Sequence, residues 1–139
     1  DPKVQADWVW TEPRPRAVVC DHDAGDRAIL ERDLGMSTVA ATKAVTGGIQ
    51  ATDARMLPAG DGKPRIAILR DSLVERDAEL AEAMKPTCTA EEIVGYVWDT
   101  GNGKKIKEQP VKEDDHGCDA LRYLVAERDL APRPRIRRL

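Results

Sequence analysis

Short apolar runs alternate with amphipathic stretches along these 139 residues, and that alternation predicts an α/β sandwich with a mixed, mostly parallel sheet flanked by helices. Three observations carry the assignment. Arg16-Ala17-Val18-Val19-Cys20 is nearly all apolar, as a strand buried on both faces is, and it runs straight into Asp21-His22-Asp23. Asp26 to Leu34 brings Ala28, Ile29 and Leu34 inward at helical spacing, with Gly35 placed as a left-handed cap. Asp115 to about Arg128 has the pattern of a long terminal helix.

The other elements follow in chain order. Val4 to Trp10 has Val4 and Trp8 one turn apart, a short helix stopped by Pro13 and Pro15. Ser37-Thr38-Val39-Ala40-Ala41 is a second strand, followed by Lys43 and a turn at Gly47-Gly48, with a helix over Ile49 to Leu57. Asp61-Gly62 marks a turn, Pro64 to Leu69 a third strand, and Asp71 to Met84 an amphipathic helix with Leu73, Leu80 and Met84 inward, closed by Pro86. Glu91 to Trp98 is expected as a strand at the sheet edge, and Gly101-Asn102-Gly103-Lys104-Lys105 as a basic loop. A single domain is expected over 1–130, with a basic Pro/Arg-rich tail over 131–139.

Composition bounds the possibilities. The hydrophobic content of 41% supports a folded chain, and the absence of Phe leaves its core to Val, Ile, Leu and Ala. Net charge is only −3, so whole-chain electrostatics select no partner. Distribution says more: acids gather at Asp21 to Asp26 and Glu113 to Asp119, while Arg133, Arg135, Arg137 and Arg138 make the tail basic. Three cysteines without C-x-x-C spacing argue against a disulfide framework and against a zinc site, which makes a reducing compartment the default. No apolar run approaches a membrane span and no signal peptide is visible.

The two acidic stretches are where chemistry is expected. Asp21 and Asp23 follow a strand, at the end of a parallel sheet where loops carry functional groups. On the terminal helix, Asp115 and Asp119 stand one turn apart with His116 and Tyr123 alongside, while Cys118, Leu121, Leu124 and Val125 fall on the opposite, packed side. Such an acidic face repels itself unless something cationic is there. The bland alternatives are helix caps at Asp114 and Asp115 and an Asx turn at Asp21 to Asp23. Hard divalent cations prefer carboxylates and water, and a pair of them stabilises the attacking and leaving oxygens of a phosphodiester displacement.

Val18-Val19-Cys20-Asp21-His22-Asp23 with Asp26-Arg27, the Ala40-x-x-Lys43 step, the Gly48-Ile49 turn and the helix Asp115-His116-Gly117-Cys118-Asp119-Ala120-Leu121-Arg122-Tyr123 together resemble the nuclease half of phage terminase large subunits. The similarity runs from about Arg16 to Ala126, and the H-x-x-D-A-x-R-Y helix is its most specific part. The resemblance implies an RNase H-like three-layer sandwich and an endonuclease that uses two Mg²⁺ or Mn²⁺ ions to cut concatemeric double-stranded DNA during genome packaging, in the cytoplasm of a host bacterium. It implies Asp21 and Asp119 as metal ligands with His116 beside the metals; Asp23 and Asp115 have no equally clear counterpart in the family and are ranked as supporting carboxylates. Portal and small terminase subunit are the implied protein partners.

The family's first-strand acid has no counterpart here, since only Asp1 and Asp7 precede Asp21 in the leading segment, and neither follows a suitable strand. The chain therefore resembles a C-terminal portion lacking the first strands and the ATPase half. Lys43, Lys104 and Lys105 suit phosphate contacts without base readout, and solvated charge explains them about as well. Trp8 and Trp10 suit packing better than base stacking. A folded but inactive prophage remnant or docking module is the competing function. A resolvase or transposase is disfavoured, because the resemblance implies a different terminal helix for those families.

Overall fold

The computed structural model describes residues 14–21, 23–73, 75–97 and 109–132. Packing groups the chain into two compact units, Asp1–Thr42 and Lys43–Leu139. Among the described residues the class is α/β, with five helices and one two-stranded parallel sheet. The expected helix over Val4 to Trp10 and residues 133–139 of the basic tail lie outside the described residues.

In the first unit, β1 (Val18–Cys20) and β2 (Thr38–Ala40) pair in parallel, with Val18 opposite Thr38 and Cys20 opposite Ala40. Between them runs α1 (Ala24–Leu34). Its start is set by Asp23, whose Oδ1 accepts from the backbone N–H of Gly25 at 2.8 Å and of Asp26 at 3.0 Å. Its end is set by Gly35 at φ 65°, a conformation that costs glycine nothing. Although Ala28, Ile29 and Leu34 are expected inward, α1 has no buried residue, and Ile29 is exposed. The helix is tied to β2 by polar groups: Arg27 donates to Thr38 Oγ1 at 3.0 Å and to the Thr38 carbonyl at 2.9 Å, while Glu31 Oε1 accepts from the Thr38 N–H and hydroxyl, both at 2.7 Å.

The second unit is helical. It contains α2 (Val45–Met56), α3 (Ala78–Glu82), α4 (Thr89–Gly95) and α5 (His116–Asp129). The long pair α2 and α5 pack together, α4 packs on α5, and among the described residues of this unit Pro110, Cys118, Val125 and Ala126 are buried apolar residues. Gly48 makes the close approach possible: a Cβ there would lie 2.7 Å from Arg122 Cγ. Gly47-Gly48 is thus not the expected turn but part of a helix surface where the missing side chain admits the stem of Arg122. A bidentate pair of Arg55 with Asp129, at 2.5 and 2.6 Å, joins the far ends of the same two helices.

Three expected elements differ. Pro64 to Leu69 forms no strand: Pro64 has no N–H to give, the Arg65 N–H is taken by the Arg55 carbonyl at the end of α2, and Leu69 is 77% exposed. The helix over Asp71 to Met84 contracts to α3, because Asp77 caps the Leu80 N–H at 3.0 Å and Met84, with φ 55°, ends it; Met84 is 94% exposed rather than inward. Glu91 to Trp98 is not a strand through its described part: α4 occupies Thr89–Gly95, with Glu91 and Glu92 in its first turn, where the helix dipole favours acids. Local polar contacts override a β-branched pattern in this stretch.

Candidate acidic site on the terminal helix

The terminal helix begins after a turn in which Asp114 adopts φ 47° and Lys85 Nζ donates to its Oδ1 at 3.1 Å. Asp115 stands at the cap position, yet its side chain makes no capping hydrogen bond, which removes helix capping as the account of this residue. Its place is filled partly by Glu92 of α4, whose Oε2 accepts from the Cys118 N–H at 2.9 Å. That contact needs Gly117, where a Cβ would fall 2.3 Å from Thr89 Oγ1.

Asp115 turns instead toward Lys112. The ammonium Nζ lies 2.7 Å from Asp119 Oδ2 and 3.0 Å from Asp115 Oδ2, so one cation serves both carboxylates. On its other oxygen, Asp119 Oδ1 accepts from Arg122 Nη2 at 3.0 Å and from the Tyr96 hydroxyl at 3.2 Å. Arg122 spans to α2 as well, donating from Nη1 to the Ala44 carbonyl at 3.3 Å, with its guanidinium 4.5 Å from the centroid of the Tyr123 ring. The cation that such an acidic face requires is supplied from within the chain.

This arrangement corrects the expected division of the helix. Asp115 is 8% exposed and Arg122 3%, whereas Leu124, expected in the core, is 57% exposed. The acids and the apolar residues share one buried stripe, since Arg122 takes the space opposite Gly48 and brings Asp119 inward with it.

Electrostatics follow from that packing. Burial disfavours the Asp119 carboxylate, but hydrogen bonds from Lys112 and Arg122 outweigh it and hold the group below the usual aspartate range. The Asp119 hydrogen bond raises Lys112 well above an ordinary lysine. Burial raises the Tyr96 hydroxyl, and the Asp119 charge adds to the effect. Burial, with the Glu92 charge next, pushes the Cys118 thiol up to about 11.

The remaining expected site residues belong to other segments of the chain or to the exposed start of α5. His116 is the first residue of α5 and is exposed. Asp21 and Asp23 belong to the first unit, both exposed at the end of β1, and Asp23 is engaged in capping α1, which matches the bland alternative for that residue. Lys43 is exposed ahead of α2; Lys104, Lys105 and His22 lie outside the described residues. Among the described residues, no group of three or more His, Cys, Asp or Glu is gathered as metal ligands. Two carboxylates directed at one cation do fit a hard divalent ion that keeps most of its waters, as Mg²⁺ does.

Lys112, Arg122, Tyr96 and Glu92 are the members that sequence reasoning missed. Spacing carried a signal for two of them: Lys112 lies three residues before Asp115, and Arg122 three after Asp119, both within helical reach of an acid. Tyr96 and Glu92 arrive through tertiary packing of α4, which no local pattern encodes. A cavity of about 670 Å³ adjoins the Glu92 side of this cluster, reaching Gly117 and extending to Leu69, Leu73, Arg76 and Cys88. Its Arg76 guanidinium is engaged by Thr87 and by Glu91 at 2.8 Å. Compared with protein-family models, curated proteins and solved structures, the chain finds no match. Among the described residues no helix is long and apolar enough to cross a membrane.

Proposed function

We propose that the chain is part of a metal-dependent DNA endonuclease of the phage terminase large-subunit type, with an RNase H-like fold in the whole protein and cleavage of concatemeric double-stranded DNA as its task. The observation that supports this is the aim of Asp115 and Asp119 at a single cation, 3.0 and 2.7 Å from Lys112 Nζ. Two adjacent carboxylates there provide the ligand chemistry that Mg²⁺ or Mn²⁺ takes. A bound ion of this kind supplies Lewis-acid stabilisation to a phosphodiester displacement. Arg122 and Tyr96 orient Asp119, and Lys112 and Arg122 together keep it ionised; His116, exposed at the start of the same helix, is available to position or relay a proton. Asp21 is the proposed ligand for a second ion. Portal and small terminase subunit are its proposed partners.

A test is supercoiled plasmid incubated with Mn²⁺ and the chain, next to Asp119→Asn. Nicked and linear products that vanish with the substitution are expected; cleavage that persists in Asp119→Asn contradicts the assignment. The second reading, an inactive docking module, is favoured by one observation: Asp119 is already satisfied by Lys112, Arg122 and Tyr96. Folded protein that leaves the plasmid intact, with Mn²⁺ bound or not, supports that alternative.

A further inference from the structure

We propose that Lys112 is a built-in cation lock: in the metal-free chain its ammonium holds the position between Asp115 and Asp119, and it must swing out before a divalent ion binds. This rests on the divalent-cation reading of the same two carboxylates. Asp115 is 8% exposed, and its Oδ2 is covered yet accepts no aligned hydrogen bond, although Lys112 Nζ lies 3.0 Å away. A buried carboxylate oxygen directed at a cation without hydrogen-bond geometry is held there by charge, and a spherical ion satisfies it better than an ammonium with directed N–H groups. The opposite oxygen of Asp119 is fixed by Arg122 and Tyr96, which leaves its Oδ2 facing the same point.

The two cations of the cluster differ in freedom. The Arg122 side chain is 4% exposed and is tied to both Asp119 and Ala44, so it is permanent. The Lys112 side chain is 58% exposed, on a flexible stem in the loop before α5, and it can withdraw into water without opening the core. With Lys112 and Arg122 in place the two acids are charge-balanced. With Lys112 withdrawn, one negative charge is left over, and a divalent cation binds into that excess. Metal loading thereby becomes a competition with a side chain of the protein itself.

The test is calorimetric titration of the full chain with Mn²⁺ for wild type, Lys112→Gln, Lys112→Arg and Asp119→Asn. Lys112→Gln is expected to bind on the order of tenfold more tightly than wild type, Lys112→Arg no more tightly than wild type, and Asp119→Asn to lose binding. Mn²⁺ should also raise the unfolding midpoint of Lys112→Gln more than that of wild type, a readout that first establishes that the variant folds. Equal or weaker binding by Lys112→Gln overturns the lock, as does the absence of Mn²⁺ binding in both proteins. Tighter binding by Lys112→Gln without plasmid cleavage leaves the lock standing and removes the nuclease. Wild-type cleavage without a gain in Lys112→Gln affinity does the reverse.

Discussion

The two units of the chain are held by different chemistry. In Asp1–Thr42 the apolar contribution is small: Cys20 is its buried hydrophobic residue among those described, α1 buries nothing, and the helix is fastened to β2 through Arg27, Thr38 and Glu31. In Lys43–Leu139 an apolar stripe on α5 packs against α2 and also carries Arg122 and the acids. Polar contacts near water contribute little each, because they replace hydrogen bonds to solvent; the same contacts inside a packed interface are costly to break. The first unit is accordingly expected to open more readily, and the second to tie its stability to its candidate site.

The largest effect is expected at Arg122. Arg122→Ala leaves Asp119 short of a donor inside the packed stripe and empties the space opposite Gly48, so the second unit should lose about 3 kcal/mol, read from hydrogen exchange of the α5 amides. A loss comparable to that of a surface arginine breaks the contrast. Gly48→Ala follows. Alanine gains about 1 kcal/mol of helix propensity, but its Cβ meets a pinned Arg122 stem at 2.7 Å, and overpacking of this kind costs about 1–3 kcal/mol. Net destabilisation is expected, and a more stable variant would show that Arg122 yields.

In the first unit, Asp23→Ala removes the cap of α1 and should cost about 1 kcal/mol in exchange of the α1 amides. A larger loss means that the polar scaffold holds more than its exposure suggests. The acid limb of stability offers a subtler test. Asp119 has its pKa lowered in the folded chain, so its contribution is fully present above the unfolded value of about 3.9 and is lost as pH falls through the folded value. Asp119→Asn should flatten the decline of second-unit stability below about pH 4. Lys112, raised by the same contact, acts with the opposite sign: its contribution is present below about pH 10.4 and is lost as pH rises through its folded value. The smallest effect is chemical. Cys118 is buried with its thiol near 11, and Cys20 is buried, so the half-exposed Cys88 should be alkylated first; early modification of Cys118 would mean that α5 opens easily.

Sequence was legible where a local rule and the tertiary structure agree. Two strands, the cap at Gly35 and the helices α2 and α5 follow from apolar runs, capping chemistry and helical spacing. Pro64 to Leu69 has the composition of a strand, but a strand exists only with a partner, and its backbone is drawn to the end of α2 instead. Glu91 and Glu92 outweigh Ile93 and Val94 in deciding for a helix, since their carboxylates bond Thr87 and the Cys118 N–H. At the candidate site, Asp115 and Asp119 were found as a helical pair, while their burial was not. The pattern that placed Leu124 inside counts hydrophobicity alone, and Arg122 entered the core because a glycine on another helix made room.

The most direct measurement is paramagnetic broadening of the amide spectrum by substoichiometric Mn²⁺, which locates a bound ion without requiring turnover. Selective broadening of the Asp115 to Asp119 amides, removed by Asp119→Asn, is the expected result. Uniform broadening, or none around Asp119 while the chain remains folded, would contradict a divalent-cation site on the terminal helix.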